Sequence, residues 1–238
     1  MQQAGREYYW HVHNHWIMYI LMVISFGFFA FGAYKKIMMW KAMKPAGERF
    51  SDIPKRAFKM LMDVMFQKRV RTKFFPGFFH SIIFWSFMML VLATAILTIE
   101  IDTPLEFFHG NIYLVVSFFA DIAGALLIIG LCIAIYRRYV MKPKSLQSDW
   151  QNAYMLVLLL LLAVGGFVLE GMRIQFTHDQ WAAYSPIGLA FSKAMGLIPS
   201  GAVPVVYPAI WWAHAAMTFA LIASLPYTKF IHFLLIPA

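Results

Sequence analysis

Trp211-Trp212-Ala213-His214 opens the last apolar stretch of this chain, and Leu225-Pro226-Tyr227-Thr228-Lys229-Phe230-Ile231-His232 closes it. Two histidines therefore stand eighteen residues apart on one hydrophobic segment. In a continuous α-helix, at about 100° per residue, eighteen steps make five turns. Both imidazoles then project from one face, about 27 Å apart. That separation is close to the ~30 Å depth of a bilayer's hydrocarbon core. The spacing predicts a membrane helix that holds two cofactors in line, one towards each face, with the rest of the chain supplying partners to the two side chains.

The composition agrees with that setting. Of 238 residues, 61% are hydrophobic and 13% charged, whereas soluble domains average about 45–50% and about 25%. The chain is expected to be an all-α membrane protein, because lipid leaves backbone polar groups no partner outside the helix itself. One cysteine, Cys132, sits inside an apolar run. A single thiol excludes a disulfide framework, a c-type haem attachment, and any iron–sulfur cluster ligated by this chain alone. No cleavable signal peptide is expected, since Met1 to Tyr9 is polar and the apolar run behind it is too long. Residues 1–238 read as a single transmembrane domain, without internal repeats or linkers.

Five apolar segments have about the ~20 residues that a spanning helix requires. They run from about His15 to Ala33, Gly77 to Ile99, Ile112 to Tyr136, Ala153 to Leu169, and Tyr207 to His232. The expected fold is a five-transmembrane-helix bundle. The loop from Lys35 to Lys73 carries twelve of the twenty Lys and Arg residues; Arg137, Arg138, Lys142, Lys144 and Lys229 join it on one side. Only Arg6, Arg173 and Lys193 fall on the other. By the positive-inside rule the N-terminus is outside and the C-terminus cytoplasmic. The net charge of +9 is thus a topology signal, and no nucleic-acid partner is expected.

The basic loop contains an amphipathic pattern at Lys55–Phe66, with Ala57, Phe58, Met60, Leu61, Val64 and Met65 on its apolar positions. Such a helix suits an anionic lipid surface or a cytoplasmic partner. In the outer loop, Gly171 to Val206, the apolar stretch Pro186 to Ile198 predicts a short interfacial helix over the bundle's outer end.

Ionisable side chains at membrane depth are costly and usually functional. His80 lies a few residues into the second span and His232 at the end of the fifth, at matching depth on the cytoplasmic side. Two histidines on facing helices suit the axial positions of a six-coordinate b-type haem with apolar walls around it. The plain alternative is a pair of interfacial histidines bonded to water or carbonyls. His214 would need a partner near the outer face: His11, His13, His15, His109 and His178 are candidates, and His13 and His15 lead directly into a span. Met88 and Met89 offer a His/Met alternative. Asp121 near the middle of the third span reads either as a hydrogen bond between helices or as a proton relay. Glu170 and Arg173, three apart, are placed to pair on one helix face. Asp121, Glu170, Arg173 and Trp211 are the candidate quinone-site residues, and Trp212 lies beside Trp211 at that end.

These residues resemble the gamma-subunit family of respiratory nitrate reductases, the di-haem cytochrome b membrane anchors. The resemblance rests on His214 with Pro226-Tyr227-Thr228-Lys229-Phe230-Ile231-His232, on Phe79-His80, and on Arg137-Arg138. It implies a haem between His80 and His232. The family's further ligand, ten residues after the first in the second span, is here Leu90. The outer haem is therefore expected to draw its second ligand from elsewhere, or to be absent. A closer resemblance is to membrane domains fused or coupled to heterodisulfide-reductase-like iron–sulfur proteins, including electron-transfer-flavoprotein:menaquinone oxidoreductases. It rests on Tyr9-Trp10, Pro76-Gly77, Arg137-Arg138-Tyr139-Val140 with Pro143, and Leu169-Glu170-Gly171-Met172-Arg173-Ile174. In that group the chain continues past the last histidine into a cytoplasmic iron–sulfur domain. This one stops at Ala238, so it is expected to be a separate subunit or to have lost that domain.

The resemblance implies a multi-pass protein of the bacterial or archaeal inner membrane. Its haem b, one or two copies, would carry electrons between a cytoplasmic iron–sulfur protein or fused domain, with an electron-transfer flavoprotein behind it, and menaquinone. No catalysis is expected from the chain without haem and partner. The competing readings are a nitrate-reductase-like quinol-oxidising gamma subunit, a haem-free anchor, and a transporter, the last disfavoured by the lack of inverted repeats.

Overall fold

The computed structural model describes residues 4–42, 52–67, 74–143 and 149–229. Seven α-helices occur among them, and five are long and apolar enough to cross a membrane. The spanning helices are α1 (Ile17–Lys41), α3 (Phe74–Asp102), α4 (Gly110–Ile135), α5 (Trp150–Thr177) and α7 (Val203–Ser224). Two shorter helices complete the set, α2 (Ile53–Phe66) and α6 (Pro186–Met195). The chain is a multi-pass all-α membrane protein. α1, α3 and α5 run several residues beyond their predicted limits, α4 matches its own within two residues, and α7 begins early and ends early.

α4 and α5 form the centre, with α3 packed along α4, and α7 between α5 and α1. One buried core joins Leu127 and Leu131 of α4 to Leu158, Leu159 and Ala163 of α5 and Leu221 of α7. A second lies towards the C-terminal end of α5, where Leu169 and Met172 meet Val203, Tyr207 and Val12 of the N-terminal segment. That segment turns sharply, with Tyr9, His11 and Asn14 all at positive φ. It closes one end of the bundle. The exit of α7 lies at the other end, where Lys229 pairs with Asp149 at the start of α5. The termini of the described chain therefore sit on opposite faces, an N-terminal face and a basic face.

Expected as one continuous helix, the fifth span is not continuous. α7 stops at Ser224, a 3-10 turn covers Leu225–Tyr227, and Thr228 is extended with φ −119° and ψ 177°. Pro226 explains the break, since proline has no N–H to donate and its ring clashes with the carbonyl four residues earlier. No unbroken helix therefore runs on from His214 past Pro226, and the continuous helix that the ~27 Å shared-face expectation assumed is absent at this turn. His232 itself lies outside the described residues. α7 also starts four residues before the expected Tyr207. His214 consequently sits midway along the helix, about 16 Å from its first residue at ~1.5 Å per step, rather than near the outer face.

The break is packed closely. A Cβ on Gly32 of α1 would fall 2.7 Å from the Tyr227 ring and 2.8 Å from Pro226. Only glycine lets the backbones come this near, the usual device of membrane helix contacts. The Tyr227 hydroxyl donates to the Phe28 carbonyl at 2.9 Å, and Ser25 donates to the Phe219 carbonyl at 2.6 Å.

α2 matches the expected amphipathic helix, with Pro54 in its first turn and Phe58, Leu61, Met65 and Phe66 exposed. α6 departs from expectation. Instead of lying over the bundle it packs along α5 and reaches α4. The backbone N–H groups of Ile187 and Gly188 each donate to the Asp121 carboxylate at 2.8 Å. The first N–H groups of a helix have no partner within it, and a carboxylate both accepts from them and complements the helix dipole. Asp121, 2% exposed, thus draws the start of α6 into the bundle from a position halfway along α4.

Candidate functional site

His80 stands in the second turn of α3 on the basic face. The chain reaches it from α2 through Gln67, which closes that helix in a left-handed conformation (φ 47°, ψ 38°) and is 5% exposed. The Gln67 Oε1 lies 3.3 Å from His80 Nδ1 and accepts from the Ser81 hydroxyl at 2.9 Å. Ser81 also reaches the Gly77 carbonyl at 2.9 Å. Nothing in the sequence marks Gln67, because its role arises only when the end of α2 folds against α3. The predicted counterpart of His80, His232, follows Lys229 by three residues. Lys229 is fastened to Asp149, and that pairing holds the Asp149 carboxyl below its usual range, aided by the Asn152 N–H.

His214 is set against α5 at a pair of glycines. A Cβ on Gly165 would meet His214 Nδ1 at 3.2 Å, and one on Gly166 would meet its Cε1 at 3.8 Å. The Nδ1 is buried and has no hydrogen-bond partner. Buried polar atoms are rarely left so, and a neutral imidazole held in an apolar wall is suited to ligate a metal through its ring. An imidazole with Nδ1 unpartnered against the α5 glycines fits a haem-ligand role through its other ring nitrogen. The histidine that would complete it is not brought to it among the described residues. His15 stacks on Tyr9 at 4.2 Å, Tyr9 meets Trp211 edge-on at 6.0 Å, and His11 leans on Trp10 at 4.5 Å. His15 thus comes within one intervening ring of the turn preceding His214, although His13 and His15 are both exposed. His178 closes α5 in a left-handed turn, and His109 precedes α4. Leu90 packs with Ile83 and Phe87 against the core around Leu131.

Of the four quinone-site candidates, Asp121, Glu170 and Arg173 lie within electrostatic reach of one another, and Trp211 stands apart. Asp121 and Glu170 converge on Gly188 of α6: the first accepts its N–H, and a Cβ there would lie 2.9 Å from the Glu170 carboxyl carbon. The Ser185 side chain also lies close to Glu170. Arg173 does not choose Glu170 as its ion-pair partner. Its Nη1 donates to Asp179 Oδ2 at 2.6 Å, with both side chains 6% exposed, while its Nε is buried without a partner. The left-handed turn at His178 folds Asp179 back over the guanidinium. Arg173, Thr177, Asp179 and Trp181 border a cavity of 350 Å³ that Arg6 and Glu7 of the N-terminal segment also line. Beside it, burial and then the Glu100 charge push the Tyr8 phenol up. Trp211 belongs to a different group, the aromatic cluster of Tyr9, Trp10, Tyr207 and Trp212. No group of three metal-ligating side chains occurs among the described residues.

Residues 78–238 match the family model described as nitrate reductase gamma subunit. The chain is 30% identical over 227 residues to the EtfAB:quinone oxidoreductase of Syntrophomonas wolfei, covering 91% of this chain and 32% of that protein. It is 27% identical over 187 residues to one component of the dihydromethanophenazine:CoB–CoM heterodisulfide reductase of Methanosarcina barkeri, covering 75% of this chain and 63% of the relative. This chain therefore spans about a third of the first relative and under two thirds of the second. No solved structure matches it. On the family match, which takes in most of the five-helix bundle and both His80 and His214, the chain belongs to the nitrate reductase gamma subunit family.

Proposed function

We propose that this chain is the haem b membrane part of a quinone-linked oxidoreductase. It passes electrons between an iron–sulfur domain or partner on the basic, cytoplasmic face and menaquinone in the membrane. The observation that carries the reading is His214: a buried imidazole with an unpartnered Nδ1, set in a notch of two glycines, in a member of a family of cytochrome b anchors. The relatedness to an EtfAB:quinone oxidoreductase supports quinone as the membrane substrate and an electron-transfer flavoprotein behind the iron–sulfur partner.

His80 and His232 would hold a haem towards the basic face, and His214, with His15 or His13, one nearer the N-terminal face. Bound haem supplies one-electron transfer. The chain's own residues do the rest. Leu127, Leu131, Leu158 and Leu159 keep water from the centre of the bundle. The Lys229–Asp149 pair sets where the segment carrying His232 leaves α7. The cavity beside Arg173 and the Asp121–Glu170 pair at α6 offer neighbouring polar positions, the cavity being lined in part by the N-terminal segment on the N-terminal face. The basic residues of the opposite face support an outside position for it.

A reduced-minus-oxidised spectrum of the purified chain tests the reading. A b-type absorbance is expected, and its absence overturns the haem assignment in favour of a haem-free anchor. Replacing His232 by Ala should remove one haem; full haem content in that variant refutes the His80–His232 pair. The nitrate reductase gamma match supports a second reading, in which electrons leave quinol for the cytoplasmic partner. Reduction of the haem by a menaquinol analogue, with no reduction from the cytoplasmic side, would favour it.

A further inference from the structure

We infer that Gln67 is a positioning residue for His80: its amide oxygen takes the Nδ1 proton in a hydrogen bond, fixes the imidazole tautomer, and presents Nε2 as the ligating atom. This rests on the haem reading above and adds a residue to it. Ligand histidines characteristically donate their second ring N–H to an acceptor, which orients the ring and raises its basicity. Gln67 meets each requirement. It is 5% exposed although it ends a helix whose apolar side chains Phe58, Leu61 and Met65 face outward. A buried amide must find partners, and its oxygen meets His80 Nδ1 at 3.3 Å and the Ser81 hydroxyl at 2.9 Å. Ser81 is in turn fixed to the Gly77 carbonyl at 2.9 Å.

The Gln67 oxygen is the amide atom that faces both His80 Nδ1 and the Ser81 hydroxyl, whose single proton is shared between that oxygen and the Gly77 carbonyl. With the oxygen towards the ring, the ring nitrogen facing Gln67 is the donor. In the neutral imidazole this assigns the proton to Nδ1 and the lone pair to Nε2. The left-handed backbone at Gln67 is what turns the side chain back from α2 onto α3. The amphipathic helix on the basic face thus ends in direct contact with the predicted ligand.

The test uses the full chain purified from membranes, with four variants: Gln67→Leu, Gln67→Glu, Ser81→Ala and His80→Ala. A weakened acceptor makes the imidazole a poorer electron donor, so Gln67→Leu should raise the midpoint potential of the basic-side haem. It should also weaken haem retention by about 10- to 100-fold. Gln67→Glu keeps the acceptor, the size and the Ser81 bond, adds charge, and should lower the potential with haem retained. Ser81→Ala should shift the potential in the same direction as Gln67→Leu, by less. A purely structural link between α2 and α3 would lower thermal stability in both Gln67 variants without moving the potential in opposite directions, and that result overturns the inference. If the wild type binds haem and His80→Ala loses one, but both Gln67 variants keep wild-type potential and retention, the inference alone falls. If His80→Ala keeps full haem content, the ligand assignment fails and takes the inference with it.

Discussion

Gly165 and Gly166 are adjacent, both on α5, and both face His214, yet the structure separates them sharply. Glycine inside a helix is less stable than alanine by about 0.5–1 kcal/mol, so alanine at either position brings that gain. At Gly166 the new methyl would sit 3.8 Å from the ring, an ordinary contact. Gly166→Ala should therefore stabilise the bundle by about 0.5–1 kcal/mol and leave cofactor content unchanged. At Gly165 the methyl would meet Nδ1 at 3.2 Å, and the ring must give by a few tenths of an ångström. Overpacking of this kind costs about 1–3 kcal/mol, which exceeds the propensity gain. Gly165→Ala should be destabilised on balance and should displace the ring of His214. The assay pairs thermal unfolding in detergent with the reduced-minus-oxidised spectrum of each variant. The two alanines should part company in both readouts. Equal behaviour of the two, or full haem content with raised stability in Gly165→Ala, would refute the notch as a determinant of the site.

Other consequences follow from the packing. Gly32→Val should force apart α1 and the Pro226–Tyr227 turn, costing about 1–3 kcal/mol and lowering haem content, since the segment leading to His232 leaves from that turn; thermal unfolding and haem assay check both. Asp179→Ala leaves the Arg173 guanidinium buried and unpaired, and should destabilise the N-terminal face by about 3–5 kcal/mol, measured by chemical unfolding in mixed micelles. The Asp149–Lys229 pair is exposed and sets a pH dependence. Its carboxyl is held below the ordinary range, so its contribution is complete above the unfolded value of about 3.9 and is lost as pH falls through the lower folded one. Protease cleavage after Lys229 should accelerate only at such acidity or in high salt, and cleavage at neutral pH that does not respond to salt would contradict the pairing.

The five spans are legible because long uninterrupted apolar runs have few alternatives in a chain this hydrophobic. Sequence reasoning fails where a local signal competes with hydropathy. Pro226 stands in plain view within the motif, yet the apolar run around it reads as a continuing helix; the proline wins. α6 is recognisable as a helix but its place is not, because the acceptor for its first N–H groups is Asp121, more than sixty residues earlier. The i to i+3 rule offers Glu170 to Arg173, while a left-handed turn at His178 supplies Asp179 instead. Of the candidate ligands, His80 stands near the start of its span as its sequence position suggests, whereas His214 lies deeper than expected because α7 begins before Tyr207. Gln67 and the glycine notch become visible only once α2 meets α3 and α7 meets α5.

The most direct test of the haem assignment is a haem count on the purified chain, wild type against His214→Ala. The wild type should show b-type absorbance and the variant should lose one haem, with the basic-side haem retained where two are bound. A wild-type chain without b-type absorbance, or a His214→Ala variant with undiminished haem, would contradict it.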